Sequence, residues 1–139
     1  MTRFFTLGFG VVCYAVFFIT FLYMIGFVGN VIVPKTIDSG DAVGFGRALL
    51  INTALLLLFG LQHSVMARPR FKAWWTRFVP LAIERSTYVL ASSLVLVALF
   101  AWWQPIATPV WAVQNAIGSA ALTALYFAGF GLVLYSTFL

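Results

Sequence analysis

Charged residues are scarce in this sequence, and their scarcity indicates the class of protein. They make up 8% of the 139 residues, whereas hydrophobic residues make up 63% and the mean hydropathy is +1.05. Water-soluble domains carry about 25% charged residues, and a chain this short would keep much of its surface in water. The composition therefore excludes a water-soluble domain and predicts an integral membrane protein. The formal net charge of +5 arises from only 8 Lys and Arg residues, too few to indicate a nucleic-acid partner.

Cysteine and histidine occur once each, which excludes several kinds of site. Cys13 has no second cysteine for an intrachain disulfide or a thiolate metal cluster, and we interpret it as a small buried hydrophobic residue. His63 alone cannot supply the four ligands of a structural zinc ion, so we predict no metal site. It could ligate haem only if a second chain or Met66 supplied the other ligand. The sequence also lacks an HExxH motif, paired catalytic carboxylates, a glycine-rich phosphate loop and a compact Ser-His-Asp set.

The scarcity of charges leaves long uncharged runs in the sequence. A helix needs about 20 apolar residues to cross a bilayer, so each long run is a candidate span. The last run, 86–139, is too long for one crossing. The segment QPIATPVW at 104–111 divides it, because its two prolines interrupt helical hydrogen bonding. Open strands would leave backbone groups unpaired in lipid, so we predict an all-α polytopic membrane protein. We expect residues 1–139 to form a single bundle of four transmembrane helices, at about 5–31, 48–66, 83–103 and 112–139.

The few cations are distributed unevenly among the predicted connections. The second connection carries the largest group, namely Arg68, Arg70, Lys72, Arg77 and Arg85. The first connection carries Lys35 and Arg47, and the third carries no cation. Cytoplasmic loops are enriched in Lys and Arg, so we expect the second connection in the cytoplasm. Arg3 and both ends of the chain then lie on the same side.

The fourth predicted helix carries a ridge of alanines. Small residues at a spacing of four let a second helix approach closely. This ridge favours either ordinary packing within the bundle or self-association between two chains. Its residues are Ala116, Ala120, Ala124 and Ala128.

Polar residues gather where the second predicted helix ends and the third begins. Gln62, His63 and Ser64 close the second helix. Because consecutive antiparallel helices normally pack together, these side chains should meet the polar residues that open the third helix, Glu84, Arg85 and Tyr88. Ionisable groups close to a span are costly and often functional, so we predict a functional pocket here.

A structural interpretation of the same residues stays open. Glu84 lies where a helix N-terminus favours negative charge, and it would then cap the helix and pair with Arg68 or Arg77. His63 would be an interfacial histidine. For Arg70, Lys72 and Arg77 we favour a role in topology and in contact with anionic lipid.

Three motifs resemble a known family. QHSVMAR (62–68), FKAWW (71–75) and ERSTYVLASS (84–93) are similar to segments of the bacterial membrane methyltransferases related to isoprenylcysteine carboxyl methyltransferase, a group that includes enzymes acting on methanethiol. The resemblance implies a multi-pass enzyme of the bacterial inner membrane. It implies transfer of a methyl group from S-adenosylmethionine to a small thiol, with methanethiol becoming dimethyl sulfide.

The resemblance also implies roles for individual residues. His63 is the candidate base, and Gln62 or Glu84 would fix its tautomer. Arg85 would hold a carboxylate, either of the cofactor or of Glu84. We therefore predict His63, Glu84 and Arg85 as catalytic residues and Gln62, Ser64 and Tyr88 as substrate-binding residues.

The sequence departs from this family in one respect. Family members bind the cofactor mainly through a C-terminal half that carries an Arg-His-Pro motif and a later acidic pair, and neither occurs here. We therefore expect the chain to be the N-terminal portion of a longer enzyme and expect no methyl transfer from it alone. Two alternatives stay open. One is a non-enzymatic NnrU-like membrane protein that assists nitrogen-oxide metabolism, and the other is a dimeric haem protein that uses His63 from two chains.

Overall fold

The computed structural model describes residues 3–41, 43–106, 108–109 and 112–137. Within these ranges the chain is helical and contains no strand. The helices there are α1 (Arg3–Gly29), α2 (Phe45–Ala67), α3 (Pro69–Trp75), α4 (Leu81–Trp102) and α5 (Ala116–Thr137). All but α3 are long and apolar enough to cross a membrane. The predictions of an all-α fold and of four helices of membrane-spanning length are therefore confirmed.

The helix bounds differ from the predicted ones by a few residues. α4 begins at Leu81, directly after Pro80, because a proline fits the start of a helix and not its interior. α5 begins at Ala116 rather than at residue 112. The Asn115 side chain accepts a 2.6 Å hydrogen bond from the backbone N–H of Gly118, which caps the first turn. The predicted end of the fourth helix at residues 138–139 lies outside the described residues.

The connection from 68 to 80 is not a simple loop, and the four predicted helices did not include the short helix that it contains. It contains α3, a seven-residue helix with Pro69 in its first turn. Arg68 is extended (φ −73°, ψ 139°), as is usual for a residue that precedes a proline. This one extended residue ends α2 and allows α3 to start in a new direction.

The chain divides into two compact units, Met1–Ala107 and Thr108–Leu139. In the first unit, α4 packs against both α1 and α2. α1 and α4 run parallel, since Gly10 approaches Ser86 near their first turns and Tyr23 stacks on Phe100 near their last turns. α2 runs antiparallel to α4, because Asn52 near its start bonds to Gln104, just beyond the end of α4.

The two ends of this unit are named by what they carry. The α3 end comprises residues 62–92, namely the last turns of α2, the whole of α3 and the first turns of α4. The loop end comprises residues 30–41 and 99–105.

The buried core lies at the loop end and is built from aromatic rings. Phe27 and Phe100 are 2% and 5% exposed, and their ring centroids lie 4.9 Å apart. Trp103 meets Phe27 edge to face and donates its indole N–H to the carbonyl of Ile37. The first connection is thereby held across the ends of α1 and α4.

A close backbone approach at the end of α1 requires glycine at position 26. Asn30 follows the helix in the left-handed conformation (φ 55°), and the backbone N–H of Val31 returns to the carbonyl of Gly26. A Cβ atom at position 26 would lie 2.7 Å from the Val31 carbonyl oxygen and 2.5 Å from Val33 Cγ1. The chain therefore reverses directly onto the helix that it has just left.

The second unit contains α5. Within it, Ala116, Ala120, Ala124 and Ala128 are all exposed. Self-association through this ridge stays a prediction, as does the packing of all four spans into one bundle.

Candidate functional site

His63 and Tyr88 come together at the α3 end. His63 lies on α2, four residues before the helix ends, and Tyr88 lies two turns into α4. The Tyr88 hydroxyl oxygen is 3.0 Å from both ring nitrogens of His63, and the two ring centroids are 5.3 Å apart. Phe59, one turn earlier on α2, also contacts the imidazole, with ring centroids 5.4 Å apart. The imidazole therefore contacts two aromatic rings and remains exposed.

Ser92 joins this pair from the next turn of α4. Its hydroxyl oxygen lies 3.4 Å from Nδ1 of His63 and accepts a 3.2 Å hydrogen bond from Nε2 of Gln62. The Gln62 amide nitrogen also lies 3.1 Å from the thioether sulfur of Met66. We call these five residues the polar cluster: Gln62, His63 and Met66 on α2, and Tyr88 and Ser92 on α4.

The other end of the Gln62 amide has no partner. Its Oε1 atom is buried and accepts no hydrogen bond from any described residue. The sulfur of Met66 has no proton to donate, so the amide must turn its N–H groups toward the sulfur. That orientation leaves Oε1 directed away from Ser92. An unsatisfied buried acceptor of this kind costs about 1–3 kcal/mol.

Glu84 does not reach His63, contrary to one of the roles predicted for it. Its carboxylate lies 3.9 Å from Nζ of Lys72, which α3 brings over the first turn of α4. The pairing with Arg68 or Arg77 considered as an alternative is also wrong, because α3 places Lys72 at this position instead. Glu84 thus ties α3 to α4.

A second contact holds α3 in the same place. The indole N–H of Trp75 donates a 3.2 Å hydrogen bond to the hydroxyl of Thr87. The Thr87 hydroxyl in turn donates to the backbone carbonyl of Glu84. Two independent contacts between α3 and α4 therefore fix the cationic segment beside the polar cluster.

Arg85 and Ser64 lie apart from the polar cluster. Both are exposed, and the side chain of neither forms a hydrogen bond or an ion pair within the described part of the chain. The resemblance implied that Arg85 holds a carboxylate, either of the cofactor or of Glu84. In the structure it does not contact the carboxylate of Glu84. Arg85 precedes Tyr88 by three residues, so it lies on the same side of α4 one turn nearer the start of the helix, where its side chain is exposed.

Ser92 and Met66 were not predicted from the sequence, although a signal for both exists. Ser92 follows Tyr88 by four residues and Met66 follows Gln62 by four, so each shares a helix face with a residue that was predicted. A serine in an apolar span usually bonds to its own helix, as Ser93 does to the carbonyl of Val89. The sequence alone therefore gives no reason to assign Ser92 to a site.

The polar cluster has one imidazole, that of His63, among neutral donors and acceptors. Such a group can accept a proton from a weakly acidic ligand and release it to solvent. The described residues contain no group of three histidine, cysteine, aspartate or glutamate side chains that could hold a metal ion. Proton transfer is therefore the chemistry that these side chains can perform.

Comparison with known proteins gives a consistent set of relatives. A methanethiol S-methyltransferase from a Pseudomonas strain is 52% identical over 127 residues, which cover 91% of this chain and 49% of the relative. The methanethiol S-methyltransferase of Pseudomonas deceptionensis is 58% identical over 112 residues, covering 81% and 43%. That of Mycobacterium tuberculosis is 48% identical over 139 residues, covering 100% and 57%.

No family model matches the chain, and no solved structure matches it significantly. The chain spans about half the length of the curated relatives that it matches. At an identity near 50% over most or all of its residues, the chain is similar to about half of each methanethiol S-methyltransferase that it matches, as the resemblance of its motifs predicts.

Proposed function

We propose that this chain is part of an integral membrane methyltransferase that methylates methanethiol to dimethyl sulfide with S-adenosylmethionine as methyl donor. The observation that carries the proposal is the similarity to methanethiol S-methyltransferases over 81–100% of the chain. The non-enzymatic alternative is not favoured, because these relatives carry the name of an enzyme.

His63 is the base in this proposal. Thiolate, not thiol, is the nucleophile in such a displacement. The S–H proton passes to Nδ1 of His63, which gives up its hydrogen bond from Ser92, and the thiolate that remains would accept the methyl group that S-adenosylmethionine supplies. The exposed imidazole returns the proton to solvent. Tyr88, whose hydroxyl lies 3.0 Å from both nitrogens, orients the ring and contacts the thiol.

Ser92 selects the tautomer of His63. Tyr88 cannot do so, because its hydroxyl is equally distant from both nitrogens, whereas Ser92 contacts Nδ1 alone. The Ser92 oxygen accepts from Gln62, and in this proposal the Ser92 hydroxyl directs its own proton to Nδ1. Neutral His63 then carries its proton on Nε2, and Gln62 acts on the base through Ser92 rather than directly.

The described residues fit only a small part of the cofactor. S-Adenosylmethionine carries a sulfonium cation, an ammonium group, a carboxylate and an adenosine, and it supplies the methyl group when bound. The polar cluster and the adjacent Phe59 offer two aromatic rings, Phe59 and Tyr88, and one free acceptor, Oε1 of Gln62. Because this set contains no carboxylate and no cation, we assign the main cofactor site to the part of the relatives that this chain does not span. Arg85, exposed near the polar cluster, stays a candidate for contact with a carboxylate, and Ser64 for contact with the substrate.

We further propose the bacterial inner membrane as the location, with the α3 end in the cytoplasm. Arg3, at the start of α1, lies at the same end of the unit as the cations of α3. Cytoplasmic loops are enriched in Lys and Arg, so this end is the one expected in the cytoplasm. Both ends of the chain are then cytoplasmic. The proposal includes self-association through the alanine ridge of α5, which the spacing and exposure of those alanines support.

A chimaera tests the function. This chain replaces its matching portion in the Pseudomonas deceptionensis relative, and membranes that carry the chimaera receive methanethiol and S-adenosylmethionine. We expect dimethyl sulfide in the headspace from the chimaera and none from the 139-residue chain alone. A chimaera that inserts at wild-type level, measured by a C-terminal fluorescent reporter, but forms no dimethyl sulfide would contradict the proposal.

A further inference from the structure

The cations of the α3 end are mostly unpaired. Within the described residues, the only ion pair there joins Lys72 to Glu84. The arginines at positions 68, 70, 77 and 85 are exposed and form no ion pair in the part of the chain that the structure describes. Four guanidinium groups on one short segment are therefore available to bind anions from outside the described part of the chain.

Large aromatic side chains are exposed on the same segment. Trp74 is 48% exposed and Phe78 is 70% exposed, and their rings meet with centroids 5.5 Å apart. Phe71 and Trp75 extend this group of stacked and tilted rings along α3. Tryptophan favours the boundary between lipid headgroups and hydrocarbon, so these rings indicate the environment in which the arginines lie.

The segment is held in position rather than free. Trp75 bonds to Thr87, and Lys72 pairs with Glu84, so the inner side of α3 is fixed to α4. The long apolar helix α2 ends at Ala67, just before α3, and the long apolar helix α4 begins at Leu81, shortly after it. A segment fixed at the ends of two membrane-spanning helices must lie at the depth of the headgroups.

We propose that the α3 surface, formed by Arg68, Arg70, Arg77, Trp74 and Phe78, binds the headgroups of anionic phospholipids. The guanidinium group matches a phosphodiester with two parallel hydrogen bonds and is the preferred cation for phosphate. The exposed rings enter the interface beside it, between the glycerol region and the first methylene groups. This binding is independent of the proposed methyl transfer, since it uses none of the residues of the polar cluster.

The occupant is a lipid because of where the cations lie. A soluble polyanion would need only charge, whereas this surface combines charge with exposed tryptophan and phenylalanine at the ends of two spans. Basic segments next to a span gain affinity for anionic lipid with each Lys or Arg. Arg47 is exposed at the start of α2, at the opposite end of that helix from the α3 surface, and serves as the control position.

Spin-labelled lipids test this proposal on the 139-residue chain. The chain is reconstituted in phosphatidylcholine vesicles, and electron paramagnetic resonance measures how strongly spin-labelled phosphatidylglycerol and phosphatidylcholine associate with it. We expect phosphatidylglycerol to be favoured by about five-fold or more, with the preference weakened by 1 M salt because salt screens surface charge. Both lipid leaflets have the same composition, so the result does not depend on the orientation of the chain.

Variants separate charge from folding. We expect R68Q/R70Q/R77Q to lose the preference, R68K/R70K/R77K to keep much of it, and Arg47→Gln to leave it unchanged. Helix content from circular dichroism identifies a variant that fails to fold. If the glutamine variant does not fold, the lipid preference of the lysine variant is compared with that of the wild type instead. Equal association of the two lipids with the wild-type chain would overturn the proposal, as would an unchanged preference in the folded glutamine variant.

Discussion

The two ends of α4 contact the rest of the protein in different ways. At the loop end, Asn52 on α2 donates a 2.8 Å hydrogen bond to the carbonyl of Gln104 and accepts a 2.9 Å bond from its N–H. Lys35 donates to the carbonyl of Ala101, and Trp103 donates to that of Ile37. Each of these polar side chains satisfies a backbone group at or just beyond the end of α4 or, for Ile37, in the first connection.

At the α3 end the polar side chains contact one another instead, and their contacts are incomplete. Oε1 of Gln62 has no partner among the described residues, the Ser92–His63 contact is long at 3.4 Å, and His63 is exposed. Buried polar groups are normally paired, so an orphan group calls for an explanation. The comparison teaches that the loop end is organised for stability, and that the α3 end keeps hydrogen-bonding capacity for a ligand.

The largest effect that we expect is on activity at the α3 end. In the chimaera, His63→Ala removes the proposed base and should lower turnover by about 10²-fold or more. Because His63 is exposed, the free energy of unfolding should hardly change. Headspace measurement of dimethyl sulfide at several pH values gives the result, and turnover within three-fold of wild type at every pH would exclude His63 as the base.

The largest effect on stability should lie at the loop end. Phe100→Ala removes a ring that packs against Phe27 and Tyr23 and should lower the free energy of unfolding by about 3–5 kcal/mol. Phe45→Ala is the matched control, since Phe45 is 63% exposed. Unfolding in mixed detergent micelles measures both, and equal losses for the two variants would show that Phe100 is not in a packed core.

A smaller effect tests how Ser92 acts. The chain contains a single histidine, so ¹⁵N-histidine labelling gives the spectrum of His63 alone. We expect the proton of the neutral ring on Nε2 in the wild type, and a mixture of tautomers in Ser92→Ala. The lost hydrogen bond, about 0.5–1.5 kcal/mol, should slow the chimaera by up to about ten-fold.

Ser93→Ala is the control for this experiment, because the Ser93 hydroxyl bonds within its own helix. Its spectrum should match that of the wild type. A wild-type spectrum with the proton on Nδ1 would contradict the proposed direction of the Ser92 hydrogen bond.

The smallest effect should come from the ion pair that ties α3 to α4. Lys72 is 46% exposed and its nitrogen lies 3.9 Å from the Glu84 carboxylate. Pairs of this kind contribute about 0–1 kcal/mol. Glu84→Gln should therefore lower the free energy of unfolding by less than about 1 kcal/mol, and a loss of several kcal/mol would mean that Glu84 has a partner beyond Lys72.

Much of the fold could be predicted from the distribution of charges. The four spans were found because a charged residue is costly in lipid, so uncharged runs and spans coincide. The approach of His63 to Tyr88 follows from the antiparallel order of consecutive helices. Helix α3 was missed because seven residues are too few for a periodic pattern, although Pro69 after an extended residue is a typical helix start.

The details of the polar cluster could not be predicted because they depend on rotation about the helix axes. Sequence spacing shows that Tyr88 and Ser92 share a face of α4, but not that this face meets Gln62 and His63. The partner of Glu84 depends on the direction of α3, which one extended residue, Arg68, determines. Such choices are made by tertiary packing, and charge patterns carry little information about them.

A matched pair of amides on α2 tests the comparison of the two ends most directly. Asn52→Leu and Gln62→Leu each replace an amide by an apolar side chain, and unfolding of both is measured in the same detergent micelles. We predict that Asn52→Leu loses about 1–3 kcal/mol, because it leaves the backbone N–H and carbonyl of Gln104 unpaired. Gln62→Leu should lose less than about 0.5 kcal/mol, because it also removes an orphan acceptor. Equal losses, or a larger loss for Gln62→Leu, would contradict the account.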